Sequence, residues 1–285
     1  MQSLAPIEPV DYLVIGHITR DLTPQGPMLG GTAAYAALTA QALGLRAGIV
    51  TACAADLPTP ELRGVAVALL PSENTTTFEN IETSKCRTQY IDTVAPVLDL
   101  SHVPEVWRHA PIVHLGPVAN EVDPNLARAF PGALVGLTPQ GWLRSWSARG
   151  KVSFSEWPEA AYVLENAEAA VLSIHDVEDS EQRIEELLAS IRILAITEGA
   201  AGVRLYWNGD LRRFRPPQVQ VVDTTGAGDI FAAAFFIRLH ATHDPWEAAR
   251  CAAQLAAYSV TRRGLDSIPT PAEVEQCLIQ ITQKA

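Results

Sequence analysis

The chain has 285 residues, 48% hydrophobic and 19% charged, which is enough to bury a large core in one α/β domain or two smaller ones. A net charge of -11 argues against charge-driven binding of nucleic acid or anionic membrane, and no apolar run approaches membrane-spanning length. Residues 1–9 lack a basic segment followed by an apolar core, so the expectation is a soluble cytoplasmic protein.

In chain order, residues 12–15 form a short apolar run closed by Gly16 and read as a first buried strand, with Asp21 on the loop beyond. Gly30 and Gly31 open an alanine-rich helix over 32–43 that stops at Gly44. Residues 46–52 form a second strand, and β-α-β order with short links argues for a parallel, doubly wound sheet. Residues 65–70 are apolar. Residues 75–94 alternate and are rich in threonine, as suits strands with one solvated face. The α/β rhythm returns with strands at 112–115 and 133–137 and a helical stretch at 124–130 between them. Strands at 170–174 and 193–197 flank a helix over 177–190, and 203–207 with 211–214 form a hairpin around Asn208-Gly209-Asp210. Helices over 245–263 and 271–281 close the chain.

The chemistry concentrates at Asp223-Thr224-Thr225-Gly226-Ala227-Gly228-Asp229. Val221 and Val222 read as the end of a buried strand, the glycines as a tight turn, and residues 231–237 as a helix apolar nearly all round. The first amides of such a helix lack internal partners and carry the positive end of its dipole, which makes an anion site. Asp229 there fits two roles. It can cap the helix, or it can act as a base that takes a proton from an alcohol while the amides hold the phosphoryl group under attack. Only Lys85, Lys151 and Lys284 are lysines, and none lies in the turn, which excludes a Walker-type loop. Cys53, Cys86, Cys251 and Cys277 are far apart with no C-x-x-C pair, so buried or free thiols are expected rather than zinc or disulfides.

The run Asp223–Asp229 resembles the Asp-Thr-x-Gly-Ala-Gly-Asp signature of the ribokinase/PfkB carbohydrate kinase family. The resemblance implies a ribokinase-like α/β fold, a doubly wound, mostly parallel sheet flanked by helices. It further implies one domain over 1–285 with a small β-lid from about 18–29 and 73–96. It makes Asp229 the catalytic base and the Gly226, Ala227 and Gly228 amides the anion hole. Asp21 matches the position where the family anchors substrate hydroxyls, which suits a carboxylate able to accept two such bonds. Thr19 stands where many members have asparagine, a departure from ribose-specific forms. Gly30 and Gly31 resemble the glycine pair that opens a helix toward the substrate, and Gly30–Tyr35 is similar to inositol-kinase-like forms. Thr77, in Thr75-Thr76-Thr77-Phe78-Glu79, falls in the lid over the substrate. Gln140 and Arg144 match residues that face substrate or phosphate, with Thr138 in place of the usual aspartate.

On the donor side, Thr197, Gly199 and Gly202 resemble the family's Thr-x-Gly-x-x-Gly beside nucleotide phosphates, joined by Thr225 and Gly228. Residues 252–261 with Gly264 and Ser267–Pro269 resemble the cover over adenine, with Cys251 in place of an asparagine. Asp176 fits either a helix cap or a magnesium held through water, and Glu178 is a second candidate. The resemblance implies ATP and Mg2+, with K+ near Asp223 and Thr225, and a monomer or homodimer. The expected activity is transfer of the γ-phosphoryl of ATP to a hydroxyl of a polyol or sugar, a myo-inositol-like acceptor leading. Ribokinase- or nucleoside-kinase-like activity and a non-catalytic ligand-binding member of the fold are the alternatives. A phosphosugar is disfavoured because no arginine or lysine cluster is evident near the acceptor motifs.

Overall fold

The computed structural model describes residues 7–24, 26–82 and 87–282. Lys85, Cys86 and Lys284, residues 1–6 and lid positions 25 and 83–86 lie outside them. In chain order the elements begin β1 (Tyr12–Ile15), β2 (Thr19–Thr23), β3 (Gly26–Gly30), α1 (Thr32–Ala42), β4 (Ala47–Cys53) and β5 (Ala66–Pro71). They continue β6 (Thr77–Glu82), β7 (Arg87–Thr93), β8 (Ile112–Leu115), β9 (Leu134–Leu137), β10 (Arg144–Trp146) and β11 (Val152–Phe154). Then come α2 (Ala160–Glu165), β12 (Ala169–Ser173), α3 (Glu181–Leu188), β13 (Ile193–Thr197), β14 (Val203–Trp207) and β15 (Asp210–Phe214). The last three are α4 (Ala227–Thr242), α5 (Pro245–Ser259) and α6 (Pro271–Thr282).

Nine strands form one sheet in the order β15-β14-β13-β12-β9-β8-β1-β4-β5. It is parallel except where β14 pairs antiparallel with β13 and β15. Alternation along β1 feeds two cores: Tyr12 and Val14 face α1, α4 and α5, while Leu13 and Ile15 join Trp107 and the α2–α3 side. The helices α1 and α4 are apolar all round because each lies deep in the first core. At β1 the strand order reverses, since β4 lies on one side and β8 on the other, and the crevice beyond their carboxyl ends is where open α/β sheets take ligands.

A second sheet, β3-β2-β6-β7, stands over that crevice. Asp21 therefore sits on β2, not on a loop: Thr19–Thr23 has a ladder partner on each side, in β3 and β6. A hairpin that sequence reading did not place, β10–β11, joins this sheet through the Tyr90–Lys151 bridge and the Ile91 amide on the Gly150 carbonyl.

Three further expectations are corrected. Val221 and Val222 are not in a strand. They are 58% and 49% exposed, and the Val222 amide bonds the Val260 carbonyl beyond α5. The paired Pro216 and Pro217 after β15 lack the amides a ladder needs, so the β-branched pair has no strand to extend. The expected helix over 177–190 begins only at α3, because Glu178 and Asp179 take positive φ after a short 3-10 turn, Ile174–Val177. Cys251 and Cys277 form a disulfide between α5 and α6, with Cα atoms 5.6 Å apart, while Cys53 is a buried thiol. That pairing arises from helix packing across 26 positions, which no local spacing announces.

Candidate active site

The glycine turn caps α4. Gly226 has φ 77° and lies against the Tyr35 ring, where a Cβ would collide, so both the backbone angle and the close approach require glycine. Gly228 faces open space, and Asp229 follows in the first turn. The Ala227 amide turns inward to the Thr224 carbonyl at 3.3 Å, so the anion hole expected from three amides has one of them directed at the chain itself.

Asp229 is the end of a hydrogen-bonded row. The Arg144 guanidinium donates to Gln140 Oε1 at 2.6 Å, and Gln140 Nε2 donates to Thr32 Oγ1 at 3.2 Å. Thr32 Oγ1 in turn donates to Asp229 Oδ1 at 2.7 Å. Arg144 is fixed further by the Val118 carbonyl at 3.0 Å, and Asn120 donates to the Arg144 carbonyl. The row crosses the crevice from β10 through the β9 loop and the start of α1 to the start of α4.

Charge in this crevice is mostly negative. Enclosure among protein atoms pushes the Asp229 carboxyl up to about 6, with Asp176 and Asp21 adding to the rise while the Thr32 bond and Arg144 oppose it. Burial likewise raises Asp176, against Arg144 and the Ser173 amide. Burial, then Asp21, Asp229 and Asp223, hold Tyr35 as a phenol.

These residues line a cleft of about 900 Å3 that opens beneath the second sheet. It gathers Asp21, Gly31, Gln140, Arg144, Asp176, Thr197, Thr225, Gly226, Gly228 and Asp229 from six separate stretches of sequence. Asp21 accepts from the Thr19 hydroxyl at 2.8 Å, and Gly30 packs directly on its carboxylate. Thr77 is outside the lining: its buried hydroxyl donates to the Thr75 carbonyl, and strand alternation turns Phe78 and Asn80 to the cleft instead. Gly199 and Gly202 are outside it too. They shape the turn into β14, where Gly202 passes against the Phe214 carbonyl. Asp176 is the reciprocal cap of its 3-10 turn, accepting from the Ser173 amide at 2.8 Å, while still reaching the cleft with Glu178. Cys251, spent in its disulfide, does not stand in for an adenine-side asparagine.

Asp223 ties the turn before α4 to the segment after α5, accepting from the Thr225 and Gly264 amides at 2.9 and 3.1 Å. Lys151 joins Arg144 in the lining, a second cation where the sequence showed no basic cluster. Both belong to the β10–β11 hairpin, Arg144 opposite Phe154 at its open end and Lys151 beside its turn, where Gly150 has φ 77°. Thr32, Asn80 and Gln89 are cleft residues that sequence reading did not single out. A hydroxyl at the first position of the helix opened by Gly30 and Gly31 was the available signal for Thr32.

Residues 154–272 match the profile of the pfkB family carbohydrate kinases. The chain is 26% identical to a cytidine kinase of Thermococcus kodakarensis over 79% of its own length and 87% of the relative's. It is 45% identical to the Bacillus subtilis ribokinase over 30% of its length and 29% of the relative's. Against the Escherichia coli fructokinase it is 27% identical over 59%, and the match spans 61% of that protein. Among solved structures, a pyrophosphate-dependent kinase of the ribokinase family, complexed with a pyrophosphate analog and myo-inositol, superposes with a TM-score of 0.77 at 19% identity over 93% of this chain and 99% of that one. The Arabidopsis thaliana ribokinase complexed with ribose and ATP gives 0.73 at 19% identity over 95% and 99%. At these identities the structural likeness is one of fold. Residues 154–272 thus match the pfkB carbohydrate kinases, the chain as a whole has a ribokinase-like α/β fold, and the relatives it matches are named as carbohydrate and nucleoside kinases.

Proposed function

We propose that this chain transfers the γ-phosphoryl of ATP to a hydroxyl of a small polyol or sugar, with a myo-inositol-like acceptor favoured. The observation that carries the reading is Asp229. It is a carboxylate at the first turn of α4, at the floor of a cleft, with its pKa raised by burial to about 6 and one oxygen held by Thr32. A base works best with its pKa close to the working pH. With Oδ1 held, Oδ2 takes the proton as the acceptor oxygen bonds to phosphorus and the bond to ADP breaks. The Gly228 amide and the start of α4 stabilise charge on the phosphoryl in flight. The second sheet, with lid boundaries near 18–29 and 73–96 on one ribokinase-like domain, excludes water as a competing acceptor.

Polar side chains at the acceptor end, Asp21, Asn80, Gln89 and Gln140 among them, suit a ligand rich in hydroxyls. Arg144 and Lys151 share that lining with Asp21, Asp176 and Asp229, so the two cations do not by themselves call for a phosphorylated acceptor. A nucleoside acceptor is the second reading, favoured by the cytidine kinase match over 87% of that protein.

Magnesium keeps several waters and needs only one or two carboxylates beside the phosphates, which Asp176 and Glu178 would provide. The ion would supply neutralisation of the phosphate charge. K+ beside Asp223 has less support, because its carboxylate already serves the Thr225 and Gly264 amides.

The test is ATP consumption by purified protein against polyols, sugars, phosphosugars and nucleosides. Turnover with a polyol or sugar supports the reading, turnover with a nucleoside alone selects the second, and binding without turnover by any acceptor overturns both.

A further inference from the structure

We propose that Thr138 is a specificity-determining residue whose hydroxyl is held as a hydrogen-bond donor toward an oxygen of the acceptor by the Tyr12–His114 pair beneath the cleft floor. This rests on the kinase reading for its kinetic consequence, but not for its structural basis.

Three polar side chains run in a line through the first core. The Tyr12 hydroxyl lies 2.7 Å from His114 Nδ1, and His114 Nε2 lies 2.8 Å from Thr138 Oγ1. Tyr12 and His114 are fully buried, on β1 and β8, while Thr138 follows β9 and lines the cleft. Burial keeps the imidazole neutral, with its pKa pushed down to about 3, so the ring carries one proton and two arrangements are possible.

If Nδ1 carries it, Nδ1 donates to the Tyr12 oxygen, and the phenol proton then needs another acceptor. Among the described residues Tyr12 Oη meets no second one, so a donor would be buried without a partner. If Nε2 carries it, Tyr12 donates to Nδ1 and Nε2 donates to Thr138. Both buried groups are then satisfied. Tyr12 remains a phenol throughout, since burial and then the nearby Asp229 charge raise its pKa.

The second arrangement has an outcome in the cleft. Thr138 Oγ1 accepts from below, and among the described residues no other group receives its proton. That proton is presented to a guest, so the position favours a lone pair rather than a donor. An aspartate at this place would only accept, which makes the threonine a change in hydrogen-bond polarity as well as charge.

Two measurements decide it. In 15N-labelled wild-type protein, the neutral, non-titrating histidine whose signals move in Tyr12→Phe is His114, and the proposal requires its proton on Nε2. A proton on Nδ1 overturns it. In acceptor kinetics, Thr138→Val raises KM about tenfold with a smaller change in kcat, and Thr138→Ser stays within about threefold of wild type. Equal KM values for valine and serine overturn the proposal. Should Thr138→Val fail to fold, Tyr12→Phe replaces it, and an unaltered KM there overturns it equally. A wild-type chain inactive with every acceptor overturns the kinase reading and Thr138's part in it, whereas the His114 proton position is decided independently.

Discussion

Thr32 Oγ1 donates to Asp229 Oδ1 at 2.7 Å, joining the first residue of α1 to the first turn of α4 across 197 positions of sequence. The two helices approach with their N-termini on one cleft, so the hydroxyl sets both the direction and the basicity of the carboxylate. Thr32 opposes the rise that burial imposes on Asp229. Thr32→Val therefore moves the acid limb of the kcat/KM profile to higher pH, with more activity lost at pH 6 than at pH 8. A profile measured across pH 5 to 9 checks this, and an unmoved limb contradicts it.

The same carboxylate costs stability. Its folded pKa of about 6 exceeds the ordinary 3.8, so the folded state binds the proton more tightly between those values. Stability then falls as pH rises through that window, and the penalty is at most about 3 kcal/mol above it. Asp229→Asn removes the penalty, so its melting temperature exceeds that of wild type at pH 7.5 and converges with it below pH 4. Calorimetry at the two pH values gives the comparison.

Gly228 differs from Gly226 in having nothing near its missing Cβ. Gly228→Ala gains helix propensity, worth up to about 1 kcal/mol, while placing a methyl where the phosphoryl group would sit. Turnover should fall at least about tenfold with the melting temperature kept or raised. Full activity in this variant would mean that no anion approaches this amide.

Much of this was legible in the sequence because it is local. The apolar runs at Tyr12–Ile15 and Ile193–Thr197, the glycine pair before α1 and the turn before α4 each carry their own signal within a few residues. Val221 and Val222 misled because β-branched residues signal a strand only when a neighbouring strand accepts their amides, and here Val260 does. Thr77 misled because alternation gives a period but not which face the sheet buries. Thr32, Lys151 and the Tyr12–His114–Thr138 line depend on contacts between distant segments, which no window of sequence contains.

The Cys251–Cys277 disulfide closes a loop of 26 residues between α5 and α6. A loop of that length is worth about 3.5 kcal/mol by chain entropy. Cys277→Ser, or reductant on the wild type, should lower the melting temperature while leaving acceptor KM within about twofold, because neither cysteine lines the cleft. An unaltered melting temperature under full reduction contradicts a stabilising role.

The central claim concerns one proton. Single-turnover phosphoryl transfer from ATP to the best acceptor, compared between wild type and Asp229→Asn at pH 8, tests it most directly. The account predicts a rate lower by roughly two to four orders of magnitude with acceptor binding retained. A variant that transfers phosphoryl at a near-normal rate would contradict it.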